Sequence, residues 1–319
     1  MKKISHIVTG AAGFIGCNLV KELNLRGEND LLLVDELGEG EKWRNLLGLT
    51  YEDLLNPYDF MEMLDAGLEF DGLRAVIHLG ACSATTETDA DYLLENNYRY
   101  TRDLCEWCLE RNVRFVYASS AATYGDGALG YSDADERTPG YLPLNMYGYS
   151  KQMFDLWALR TGKLDRIAGL KYFNVYGPNE QHKGDMRSVV HKATEQIRSE
   201  GKVKLFKSHR PEYEHGRQLR DFVYVKDAVD VTLWLAGPNA PSGLFNCGTG
   251  EAKSWLDLVN AVFAALEKAP VIEFIDMPDY LQPKYQYYTR AEMSKLREAG
   301  YEKPFTSLED GVRETVATL

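Results

Sequence analysis

Ile4-Ser5-His6-Ile7-Val8-Thr9-Gly10-Ala11-Ala12-Gly13-Phe14-Ile15-Gly16 is the stretch on which the fold turns. The run Ile4 to Thr9 reads as a short buried strand and Phe14 to Leu25 as the helix after it, so the three glycines sit where strand becomes helix. Without side chains, such a turn lets a pyrophosphate approach the backbone and lie at the helix N-terminus. The spacing is Gly-x-x-Gly-x-x-Gly, and a glycine triplet alone is compatible with a bare turn. Asp35, ending the next strand after Leu31-Leu32-Leu33-Val34, strengthens the dinucleotide reading, because a carboxylate there suits a ribose hydroxyl.

Outward from this unit, strand-like runs alternate with helical ones: Leu31 to Val34, a short run near Leu49 to Glu52, Ala75 to His78, Phe115 to Ala118 and Ile167 to Tyr172. That rhythm predicts an α/β fold, a Rossmann-type doubly wound parallel sheet with a smaller mixed α/β substrate-binding lobe. In such sheets ligands lie at the carboxyl ends of the strands, so Gly10, Asp35, Gly80-Ala81 and Ser119-Ser120 share one crevice. After Asn174 the alternation gives way to Gly, Pro and charged segments. Asp221 to Val225 reads as a strand, followed by a helix from Lys226, that returns to the large domain. The division predicted is 1–173 and 221–245 for dinucleotide binding, 174–220 and 246–319 for the lobe.

Tyr147-Gly148-Tyr149-Ser150-Lys151 opens a stretch, Met146 to Gly162, whose apolar residues Met153, Phe154, Trp157 and Ala158 recur at helical spacing. Residues four apart on a helix project from one face, so the ammonium of Lys151 would lie beside the phenol of Tyr147 and favour the phenolate. This is chemistry for moving a proton on or off a carbinol oxygen. Among 20 tyrosines such spacing also arises by chance; at Tyr280 to Lys284, Pro283 breaks the helix that would align the pair.

The chain has 319 residues, 45% hydrophobic and 26% charged, enough for a large core in one big or two unequal domains. A net charge of -12 disfavours general nucleic-acid binding or an anionic membrane surface. An anionic ligand must therefore meet local basic groups. The absence of an apolar leader or spanning run, with five scattered cysteines (Cys17, Cys82, Cys105, Cys108, Cys247), points to the cytoplasm. Cys105 and Cys108 form Cys-x-x-Cys inside a helical pattern, Asn97 to Arg111, and read as core thiols, with no metal site.

From Ile4 to about Phe305 the chain resembles the nucleotide-sugar epimerases of the extended short-chain dehydrogenase/reductase superfamily, and within them the ADP-L-glycero-D-manno-heptose 6-epimerases. The residues that carry this are His78-Leu79-Gly80-Ala81-Cys82-Ser83 with Thr85-Thr86-Glu87, Asn96-Asn97-Tyr98, Tyr117 to Gly125, Tyr172-Phe173-Asn174-Val175-Tyr176-Gly177-Pro178 and His182-Lys183-Gly184. The resemblance implies redox-neutral inversion of a heptose carbinol on ADP-heptose, for lipopolysaccharide core synthesis. It makes Tyr147 a proton-transfer group, Lys151 its ammonium neighbour and ribose contact, Ser120 a donor to the reacting oxygen and Lys183 a second acid–base. Competing readings are a strand-end cap for Ser119 and Ser120, and an exposed lysine or phosphate contact for Lys183. Sister dehydratases carry an Asp-Glu pair where this chain has Ala121 and Ala122. Dehydration therefore lacks its acid and base.

The cofactor implied is NADP, with NAD the alternative, tightly bound and one per subunit. Its contacts by resemblance are Gly10, Gly13, Phe14, Ile15, Gly16, Asp35, Glu36, Lys42, Leu79, Gly80, Ala81, Cys82, Ser83, Asn96, Lys151, Val175 and Lys183. Glu36 beside Asp35, and Pro57 where a lysine would stand, disfavour a ribose phosphate, while Lys42 and Arg44 favour it. Substrate contacts are Ser83, Ser120, Asn174, Asp185, Phe206, Lys207, Ser208, Arg220 and Tyr285, with an ion pair to Asp221 the competing reading for Arg220. His209 and His215 read as solvated loop residues. A homo-oligomer is implied. The alternatives in function are a UDP-hexose 4-epimerase, which would keep the same Tyr, Lys and Ser, and a non-catalytic NAD(P)-binding protein.

Overall fold

A computed structural model describes residues 3–279, 281–282 and 285–319. Tyr280, Pro283 and Lys284, the alternative tyrosine–lysine spacing, lie outside the described residues. The strands are β1 (His6–Thr9), β2 (Leu31–Val34), β3 (Asp53–Leu55), β4 (Ala75–His78), β5 (Arg114–Ser120), β6 (Ala168–Tyr172), β7 (Asn174–Tyr176), β8 (Val203–Phe206), β9 (Leu219–Tyr224), β10 (Gly243–Cys247), β11 (Ala252–Ser254) and β12 (Ile272–Ile275). The helices are α1 (Phe14–Leu25), α2 (Pro57–Asp65), α3 (Ala90–Leu93), α4 (Tyr100–Glu110), α5 (Met146–Arg160), α6 (Val189–Glu200), α7 (Val225–Leu235), α8 (Trp255–Ala265), α9 (Ser294–Glu298) and α10 (Leu308–Thr318).

Seven strands form one parallel sheet in the order β10-β6-β5-β4-β1-β2-β3. The strands are apolar on both faces: Ile7, Leu32, Val76 and Phe115 pack with α2, α4 and α5, while Val8, Leu33, Ile77 and Val116 pack with α1 and α7. Continuous apolar runs are what a sheet covered on both sides requires. The strand order reverses between β1 and β4, which opens a crevice at their carboxyl ends. A three-stranded sheet, β11-β9-β7, and a two-stranded one, β12-β8, share an apolar cluster with α6, α8 and α10.

Three local expectations differ from the structure. The strand expected at Leu49–Glu52 lies at Asp53–Leu55, because Leu49 is held in a turn by its N–H to the carbonyl of Leu46. The strand of the Asp221–Val225 run does not join the large sheet, since β9 pairs parallel with β7 and antiparallel with β11, but the helix after it, α7, does pack on that sheet, and β10 is the strand that returns, beside β6. The helix expected from Asn97 to Arg111 starts as a wide π turn, Leu94–Arg99, before α4. Cys105 and Cys108 are free and buried, burial pushes the Cys105 thiol up to about 12, and no metal-holding group of His, Cys, Asp or Glu exists among the described residues. Nor is any helix there long and apolar enough to cross a membrane.

Candidate active site

The glycine turn is built by close packing. Gly10 has φ +68°, and a Cβ on it would lie 2.6 Å from the Gly80 nitrogen. A Cβ on Gly16 would meet the Gly10 carbonyl oxygen at 2.1 Å, so the first turn of α1 presses onto the end of β1. Gly13 is the N-cap of α1 and offers no side-chain cap, which leaves first-turn N–H groups to an anion. Asp35 accepts from the Ala12 N–H at 2.7 Å and from the Glu36 N–H at 2.7 Å, and pairs with Lys42. The Glu36 side chain is exposed. These groups fit a dinucleotide: backbone donors for a pyrophosphate, a fixed carboxylate at a ribose edge, and an ammonium beside it.

Asn45, which the sequence did not single out, ties this turn to the lobe by donating to the Ala12 carbonyl at 2.9 Å while contacting Nδ1 of His182 at 3.0 Å. Burial, with the charges of Lys42 and Lys183, pushes His182 down to about 4. The imidazole is thus kept neutral within the field of both lysines. The Lys183 Nζ lies 4.9 Å above the Phe14 ring and 3.6 Å from the Glu180 carboxylate, which also accepts from the N–H groups of Gly177 and Ser188. Glu180 is fully buried and anchors the Lys183 turn to α6; a lone acid in a loop carries no sequence signal for that.

On the other wall, Asn145 caps α5 by accepting from the Gly148 N–H at 2.8 Å, which starts the helix one residue before Tyr147. Lys151 is 5% exposed. Ser120 ends β5, caps the turn after it by taking the Ala122 N–H at 3.1 Å, and stands close enough to Tyr147 to draw its phenol down. Asn97, on the π turn, accepts from the Cys82 N–H at 2.8 Å and donates to the Cys82 carbonyl and Ser150 hydroxyl, each at 3.0 Å. That clamp fixes the Leu79–Ser83 loop beside α5. Asn96 donates to Asn97 at 3.3 Å, Ala81 is half-buried and Ser83 is exposed.

The electrostatics differ from the simplest expectation. Burial pushes the Tyr147 phenol up, the Ser120 hydrogen bond offsets part of this, and the Cys82 charge adds to the rise. Lys151 goes the other way, down to about 8 through burial, with Asp155 and Cys82 opposing. For both groups desolvation is the largest cause.

Beside Lys183, a cavity of about 310 Å³ is lined by Asn174, Val175, Lys183, Arg187, Phe222 and Trp255, among others. Arg220 is buried, donates to the carbonyls of Leu219 and Gln286, and lies 5.7 Å from the Trp255 ring and 5.2 Å from that of Tyr285. Its neighbour Asp221 is committed to Thr249, Gly250 and Ala291, so the competing Arg220–Asp221 ion pair does not form. Trp255 donates to the Tyr285 hydroxyl at 2.8 Å, and Tyr285 packs on Tyr287, which contacts Ser208. Ser208 therefore joins the aromatic group that packs on Arg220, while Phe206 ends β8 opposite Ile275, Lys207 is taken by Asp276 at 3.0 Å and Asp185 is exposed. His209 and His215 are exposed as expected, though each has a partner: Tyr287 at 2.8 Å and the Ser208 N–H at 3.0 Å.

Comparison with known proteins agrees with this geometry. Residues 6–248 match the model of the NAD dependent epimerase/dehydratase family. The chain belongs to this family. Its relatives include an ADP-L-glycero-D-manno-heptose-6-epimerase of Nitratidesulfovibrio vulgaris, 58% identical over 98% of this chain and 96% of that protein. One of the same name from Fusobacterium nucleatum is 48% identical over 97% and 96%. Among solved structures, the Helicobacter pylori ADP-L-glycero-D-manno-heptose-6-epimerase superposes with TM-score 0.81 at 25% identity, covering 99% of this chain and 96% of that one. A Thermus thermophilus UDP-glucose 4-epimerase in complex with NAD gives TM-score 0.76 at 26% identity over 99% and 98%. The matched span, residues 6–248, includes the glycine turn, Asp35 and the Tyr147–Lys151 helix.

Proposed function

We propose that this chain inverts the C6 carbinol of ADP-D-glycero-D-manno-heptose to give the L-glycero epimer, a lipopolysaccharide core precursor. The observation that carries the substrate is the 58% identity over nearly the whole of both chains with a relative bearing that name. Residues 174–220 and 246–319 would form the substrate lobe. When bound, NADP or NAD would accept the C6 hydride and return it to the opposite face. Gly10, Gly13, Phe14, Ile15, Gly16, Asp35, Glu36, Lys42, the Leu79–Ser83 loop, Asn96, Lys151, Val175 and Lys183 would hold it. The Lys42–Asp35 pair supports NADP, because it sets an ammonium at the ribose edge; the Glu36 charge opposes it.

In this reading the Tyr147 phenolate takes the C6 hydroxyl proton while Ser120 donates to the same oxygen, and the heptose becomes a 6-ketone. The Lys151 ammonium favours the phenolate and holds a ribose hydroxyl. After the sugar presents its other face, Lys183 gives a proton to the returning oxygen, and Asn174 and Arg220 hold the heptose and diphosphate. Two proton-transfer groups would answer the need to serve both faces of one ketone. Side-by-side turnover of ADP-heptose and UDP-galactose tests the proposal. Inversion of the heptose alone is expected, and faster turnover of UDP-galactose would assign the chain to the 4-epimerases.

A further inference from the structure

Behind the Tyr147 wall lies an ion pair with no solvent contact. Asp155 on α5 and Lys171 on β6 are each 0% exposed and 2.7 Å apart. The Asp155 carboxylate also accepts from the hydroxyls of Tyr117 and Ser119, both at 2.8 Å, and Lys171 donates to Thr123 at 2.8 Å and lies 5.1 Å from the Tyr124 ring. A buried pair is a weak source of stability, since well-packed apolar residues often do as well, so its cost calls for another role. Its partners are the chain neighbours of the site: Ser119 precedes Ser120, Thr123 lies in the turn that follows, and Asp155 stands one helical turn beyond Lys151.

We propose that Asp155 is a positioning residue for the epimerisation: its carboxylate, closed by Lys171, locks the end of β5 to α5 and supplies the counter-charge that Lys151 faces. The proposal rests on the epimerase reading for its role in turnover. The groups acting on Lys151 are Asp155 on its own helix, His78 at the end of β4 and Cys82 in the clamped loop, with Tyr147 one helical turn before it, while Tyr117 of β5 and Lys171 of β6 face Asp155. Burial has drawn Lys151 down to about 8, and the Asp155 charge opposes that fall. Removing the carboxylate therefore lowers the Lys151 midpoint. Removing Lys171 leaves the carboxylate's field less compensated and raises it.

The test is a pH titration of lysine side-chain carbon signals in ¹³C-lysine-labelled protein, with Lys151 assigned by its loss in Lys151→Met. In Asp155→Asn/Lys171→Met, which keeps the buried charge balanced, the midpoint is expected to fall by about one pH unit, as for a charge one helical turn away at an effective dielectric near 20, partly offset by Lys171. In Lys171→Met it is expected to rise. Should that variant not fold, Tyr117→Phe, which takes one donor from Asp155, serves instead with a smaller rise. The alkaline limb of kcat follows the midpoint in each variant. Midpoints that stay fixed, or move the same way in both variants, overturn the proposal. Because the titration needs no substrate, failure of ADP-heptose turnover in the unmutated protein would sink the proposed function without touching this result.

Discussion

Arg220→Met is expected to weaken nucleotide binding while leaving the fold nearly as stable as before. The guanidinium is 6% exposed, no carboxylate pairs with it among the described residues, and burial pushes its pKa down. Substitution removes charge-assisted hydrogen bonds to two carbonyls, about 1.5–3 kcal/mol each, and ring contacts worth about 0.5–1 kcal/mol each. It also releases the desolvation cost of an unpaired buried cation, several kcal/mol. The balance lies within about 2 kcal/mol of zero, so the thermal midpoint moves by only a few degrees. Binding has no such offset. Two charge-assisted bonds to diphosphate oxygens lost together come to about 3 kcal/mol, roughly a hundredfold in Kd. Calorimetric titration with ADP, beside a melting curve, reads both. A Kd within threefold of the unmutated protein would refute the reasoning, since the guanidinium would then face away from the phosphates.

Tyr147→Phe is expected to cut kcat by about a thousandfold while cofactor stays bound, because it deletes the titrating proton and little packing; near-normal turnover would remove Tyr147 from the chemistry. Glu36→Asn should raise the affinity for NADP relative to NAD by about tenfold, by removing one carboxylate beside the ribose edge; an unmoved ratio means that Glu36 points elsewhere. His78 lies between the hydroxyls of Thr9 at 2.6 Å and Thr101 at 2.9 Å, and burial pushes it from 6.5 down to about 3. Its folded pKa is below its unfolded one, so the unfolded chain binds the extra proton and stability drops as pH falls from about 6.5 toward 3. At pH 4.5 the loss is about 3 kcal/mol. His78→Gln should remove that share of the pH dependence of the urea midpoint, and equal slopes in both proteins would contradict it.

What the sequence revealed, and what it concealed, follow the range of the interactions involved. β2 and α1 lie where their apolar runs and the glycine turn predict, because neighbours in sequence settle them. β3 is a three-residue edge strand with an exposed first residue, so its apolar signal is weak and Leu49 drew the prediction toward the preceding turn. β9 is as apolar as a strand of the large sheet; only its pairing with β7 and β11, 40 or more residues from the nearest large-sheet strand before it, reveals its place. Tyr147, Lys151, Ser120 and Lys183 stood out as residue types in known patterns. Asn45 and Asn97 act by holding backbone groups distant in sequence, and Asp155 by meeting Lys171, none of which is periodic or local; Glu180 holds nearby N–H groups, but a single acid in a loop forms no pattern. The direction of the Tyr147 shift was missed because helical spacing reports proximity to Lys151 but says nothing of burial.

The central claim, inversion through hydride removal and return at one carbon, is tested most directly with ADP-D-glycero-D-manno-heptose carrying deuterium at C6. The account predicts the L-glycero product with deuterium kept at C6, in ordinary water and with no net change in added NADP or NAD. Inversion with loss of the label to solvent would contradict it, since the proton-transfer groups would then be exchanging the C6 hydrogen itself.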